Sequence, residues 1–116
     1  MMNYKKETES KFVKINTACD NLAKIAFFLR CTIMGSPNTS EYELIETKLD
    51  EMYTLLFELK ESIDSLEAAN YLYITENGDP ELVSATGAFL DAAVSHLKMY
   101  TDVYCISIEQ IENMKF

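Results

Sequence analysis

The sequence predicts an all-α fold, an antiparallel three-helix bundle with long helices. Three features carry that expectation. Gly and Pro together number only five in 116 residues, too few for a turn-rich β fold. Ile45, Leu49, Met52, Leu56, Leu59, Ile63 and Leu66 recur at alternating spacings of four and three, which places all seven on one stripe of a helix. A second stripe, Phe12, Ile15, Cys19, Leu22, Ala26, Leu29 and Ile33, repeats the pattern upstream. With 48% apolar and 25% charged residues, the chain reads as one domain, 1–116, able to build a core without a metal or disulfides.

Residues 1–10 are polar and expected to fray. The first helix then carries its seam from Phe12, and beyond Lys24 it is apolar nearly all round (Ile25, Ala26, Phe27, Phe28, Leu29). Phe27 and Phe28 cannot both share the Leu22/Leu29 seam, so at least one needs an additional partner. Gly35 suits a left-handed C′ position, and Pro37 cannot continue the helix. Ser40, with Glu43 three residues on, has the form of a capping box. The second helix accordingly runs from about Glu41 to at least Leu66, and to Tyr73 if Tyr71–Thr75 is helical.

The break at 75–78 precedes a strong start: an Asp79 N-cap, Pro80 at the first helical position and Glu81 in the first turn. The third helix carries Val83, Leu90, Val94, Leu97 and Tyr104, with Phe89, Ala93 and Tyr100 alongside. Gly87 in its interior would be explained by a close crossing, and need not be explained at all. Ser107 and Gln110 form a weak capping box, which allows a break there and a short fourth C-terminal helix with Ile108, Ile111 and Met114 as its closing stripe. The structural alternative pairs two short strands, Tyr71–Thr75 and Asp102–Ile108, because both are rich in β-branched and aromatic residues.

The charge is −9 and unevenly placed: residues 1–38 hold six bases and three acids, residues 39–116 four bases and sixteen acids. That balance argues against general affinity for nucleic acid or anionic membrane. The cysteines, Cys19, Cys31 and Cys105, form no C-x-x-C pair, and Cys19 and Cys31 would lie roughly 18 Å apart on one helix, too far to bridge. All three have apolar neighbours and are expected to be buried, reduced thiols. With no secretory h-region and no long apolar run, the expected location is the cytoplasm.

No chemistry stands out. His96 is the sole imidazole and Ala93 occupies the place a Glu-x-x-His motif would need, so neither a zinc site nor a di-iron site is expected. Gly35, Gly78 and Gly87 are isolated, which excludes phosphate-binding loops. His96 and Cys105 lie nine residues apart, roughly 13 Å along a helix, and would not meet. Neither an enzyme nor a cofactor is expected.

The expected function is protein–protein interaction: a small acidic inhibitor, immunity or antitoxin-like protein, or adaptor that occupies a partner, which could be basic. The candidate surface is the outer face of the second helix, with the acids Glu46, Asp50, Glu51, Glu58, Glu61 and Asp64, together with whatever Tyr53 and Phe57, which lie beside the seam and widen its apolar side, leave uncovered. Tyr71 and Tyr73 join it as exposed tyrosines near the helix end. The alternative is a homo-oligomeric bundle, an antiparallel homodimer hiding the surplus apolar residues Phe27, Phe28, Tyr53 and Phe57.

Overall fold

The computed structural model describes residues 4–35, 37–75 and 79–114, and these fold as a bundle of three long helices. They are α1 (Tyr4–Met34), α2 (Thr39–Thr75) and α3 (Pro80–Met114). Each packs against the other two, in a rod of 59 × 19 × 17 Å.

The α2 seam is buried along its whole length: Ile45, Met52, Leu59 and Leu66 are fully enclosed, and Leu49, Leu56 and Ile63 nearly so. α2 starts two residues earlier than the Ser40/Glu43 box implies. Asn38 Oδ1 accepts the Glu41 N–H at 3.0 Å, and Glu41 Oε1 accepts the Asn38 N–H at 3.3 Å. Asn caps as well as Ser, and this reciprocal pair satisfies two donors that the first turn would otherwise orphan. At its other end α2 continues through Tyr71–Ile74 to Thr75. Both candidate strand segments are helical, and the described residues contain no strand.

In α1 the helix extends back to Tyr4, and Thr8 is buried within the stretch expected to fray. Its buried row is Ile15, Ala18, Leu22, Ile25, Leu29 and Ile33, with Phe12, Cys19, Ala26 and Phe28 half-buried beside it. A helix touching two neighbours buries a stripe wider than one heptad seam, so Ala18 and Ile25 come in on its second flank. Gly35 does not take the left-handed φ expected of a C′ glycine. Its N–H donates to Cys31 O at 3.2 Å and prolongs the last turn.

The start of α3 follows expectation. Asp79 Oδ1 accepts the Glu81 N–H at 2.9 Å, and Asp79 O accepts the Val83 N–H at 3.0 Å. The phase of its buried face does not. The enclosed row is Thr86, Ala93, Tyr100 and Ser107, each seven residues from the next, followed by Ile111; the expected Leu90, Leu97 and Tyr104 are half-buried against the core, while Val94 is exposed. Three of the four, Thr86, Ala93 and Ser107, are small, and Tyr100 is the one large side chain among them. The Thr86 hydroxyl remains satisfied by donating to Leu82 O at 2.7 Å. Phe89 stacks on Phe12 of α1 (centroids 4.2 Å apart), and Tyr104 reaches Tyr53 of α2 (6.0 Å). The chain continues helically through Ser107, so no fourth helix separates.

Gly87 meets no neighbour: a Cβ there would find nothing within 4 Å. The close crossing that would explain it is absent, and its flexibility is simply a cost. Gly87→Ala is expected to stabilise the fold by about 0.5–1 kcal/mol, read as a raised urea midpoint at unchanged slope.

Candidate functional site

Because the seven seam positions of α2 point inward, its other residues form two flanks and a crest. Tyr53 and Tyr104 meet on the α3 flank. On the α1 flank Lys11 donates from Nζ to Ser65 Oγ at 2.8 Å. Of the residues expected at the site, Glu46, Asp50, Glu51, Tyr53, Phe57, Glu58, Glu61, Asp64 and Tyr71 are exposed. Tyr73 is not with them. It is half-buried, since a residue two positions from Tyr71 points to the opposite side of a helix.

The structure divides these residues instead of gathering them. Glu51 and Glu58 border an open groove of about 660 Å³ between α1 and α2, facing Asn21 and Lys24. Asp50 borders the same groove, and its charge also reaches Tyr104, whose hydroxyl is pushed above the ordinary tyrosine pKa by burial first and Asp50 second. Glu61 lies over a smaller hollow with Lys11 and Lys14. Asp64 and Tyr71 share a shallow depression with Glu67 and Leu72. The basic first helix therefore does answer part of the acidic face, as Lys11, Lys14 and Lys24 line these grooves. Lys48 pairs within α2, at 3.2 Å from Glu51.

Aromatic exposure on this face is high. Tyr53 is 61% exposed, Phe57 57% and Tyr71 67%.

A second surface lies between α1 and α3. A groove of about 470 Å³ runs between Ala26 and Arg30 on one side and Val103 and Gln110 on the other. Its rim is apolar: Phe27 (70% exposed), Met34 (76%), Met99 (47%) and Ile106 (54%). Phe28 packs against the core, so Phe27 is the residue left needing a partner. Spacing in the sequence signalled the surplus, but not that Met34, Met99 and Ile106 would join it.

The titratable side chains nearest to a catalytic arrangement are also ones the spacing did not bring together. Cys19, Asp20, His96 and Tyr100 line one groove of about 410 Å³ between α1 and α3. The His96 ring stacks on Tyr100, 6.2 Å between centroids. Burial, and then Asp20, raise the Cys19 thiol above its ordinary pKa, so it stays protonated near neutrality and is a poor nucleophile. Cys31 and Cys105 are exposed free thiols, not buried ones, because both fall outside the packed faces. Among the described residues no group of His, Cys, Asp and Glu could hold a metal ion. Among them, too, no helix is long and apolar enough to cross a membrane.

No family model, curated protein or solved structure matches this chain.

Proposed function

We propose that the chain is a small protein–protein interaction module that acts by occupying a partner, and that the outer face of α2 receives it. The observation that carries this reading is the exposure of Tyr53, Phe57 and Tyr71 among Asp50, Glu58 and Asp64 on one rigid helix. Acids along such a face draw in a basic partner and speed its approach, and the rings supply apolar area that stays desolvated once it docks. The partner is accordingly a basic protein, not a nucleic acid. No catalytic role is assigned to any residue, and three unpaired cysteines suit a reducing compartment such as the cytoplasm.

The topology we propose for the bundle is up–down–up, with α2 antiparallel to both neighbours. Supporting it, Lys11 near the start of α1 meets Ser65 near the end of α2, Phe12 meets Phe89 early in α3, and Tyr53 meets Tyr104 late in α3. A link of four residues between α1 and α2 also favours antiparallel neighbours.

Pull-down with the full chain, at two salt concentrations, tests the interaction. Raising salt from about 0.01 M to about 0.15 M shortens the screening length from ~30 Å to ~8 Å, so capture of a basic protein is expected to fall. Phe57→Ala and Tyr53→Ala are expected to abolish capture while leaving the fold intact. Salt-independent binding that survives both substitutions would sink the reading.

A further inference from the structure

We propose that the α1/α3 side of the rod binds a second copy of this chain, an interface separate from the acidic face of α2. The shape argument is that one side carries both a projection and a recess. Phe27 stands 70% exposed at the edge of the groove floored by Ala26 and Val103. A surface that pairs with itself about a two-fold axis must hold both halves of the fit, and here each Phe27 has a recess of about 470 Å³ to enter on the other copy. Met34, Met99 and Ile106 would close around it and exclude water.

Charge identifies the occupant. Three of the six bases of α1, Lys11, Lys14 and Lys24, line the grooves against α2, whereas the lining of the α1/α3 groove holds a single charged side chain, Arg30. α2 alone holds two bases and nine acids, a net of −7. Two chains of −9 each can meet closely where no acid intrudes, and the lining of the α1/α3 groove holds none. The apolar row on α3 continues along the rod as exposed, uncharged Ala85, Ala92, Met99 and Ile106, seven residues apart. Small residues at its upper end permit close helix approach. The exposed rings of α2 fit this role badly, because there each copy would face the other's acids.

Sedimentation velocity on the full chain tests the proposal. The expected mass at micromolar concentration is twice 13.3 kDa. Phe27→Glu and Ile106→Glu, both at exposed positions, are expected to raise the dimer dissociation constant about 100-fold each with helix content unchanged by circular dichroism. Phe57→Glu on α2 is expected to leave the dimer intact. Added salt should tighten the dimer by screening like charges, the opposite of its effect on a basic partner, so the two readings fail separately. A wild-type monomer overturns the proposal. So does a dimer that withstands both groove substitutions, or one that only Phe57→Glu dissociates.

Discussion

Leu59→Ala is expected to lower the unfolding free energy by about 2–5 kcal/mol and the melting temperature by about 10–20 °C. Leu59 is fully enclosed at the middle of α2, where the seam faces both other helices. Truncation removes apolar atoms from a site that three rigid helices cannot easily collapse around, so a cavity term adds to the lost transfer energy. Set against a total stability of about 5–15 kcal/mol, one such cavity consumes a large share. The internal comparison is Phe57→Ala, two residues away. Phe57 is 57% exposed, and its loss is expected to cost no more than about 0.5 kcal/mol. Chemical denaturation of both variants checks the contrast. Equal losses would mean that the seam is out of phase with the helix.

Ile108→Pro is expected to be the more damaging change, by about 3 kcal/mol or more beyond what Ile108→Ala costs. α3 runs unbroken from Pro80 to Met114, which puts residue 108 deep in its last third. Proline there deletes the hydrogen bond from the residue-108 N–H to the carbonyl one turn earlier and drives its ring into that turn. Had α3 ended and restarted at Ser107, position 108 would be the first turn of a new helix, where proline is favoured. The alanine variant subtracts the lost packing of this half-buried side chain. A proline variant no less stable than the alanine one would therefore place a helix start at Ser107.

The limits of the sequence are visible in α3. α2 could be read correctly from spacing because all seven inward residues are large and aliphatic, and all seven are buried. In α3 the enclosed row includes Thr86 and Ser107, which resemble surface residues, and Val94, which resembles core, is exposed. Close packing selects for small side chains at the deepest positions, and hydropathy periodicity cannot register that preference. The helix starts at Asn38 and Asp79 lay open to the same chemistry of capping, yet at Asn38 a nearby Ser/Glu pair offered an equally good pattern two residues late. Exposure of the α2 acids followed directly from their positions off the seam, whereas Tyr53 and Phe57, which lie beside it, read as widening the apolar face and yet stand more than half exposed. Which neighbour each flank faces did not, because that depends on how α1 and α3 are placed around α2. For the same reason Phe27 was identifiable as surplus, whereas its grouping with Met99 and Ile106 required the packed bundle.

The seven acids from Glu46 to Glu67 occupy twenty-one helical steps, roughly 32 Å at 1.5 Å per residue. Their mean axial spacing is thus about 5 Å, shorter than the ~8 Å over which physiological salt extinguishes a charge. Although they are divided among separate grooves and Lys48 and Lys60 interrupt them, their fields overlap along the axis, so α2 as a whole acts less as separate points than as a charged rail. A rail attracts without saying where to stop. If α2 receives a basic partner as proposed, its axial register would have to come from features that do not blur into one another, and Tyr53, Phe57 and Tyr71, unevenly placed along the helix, would be the stops.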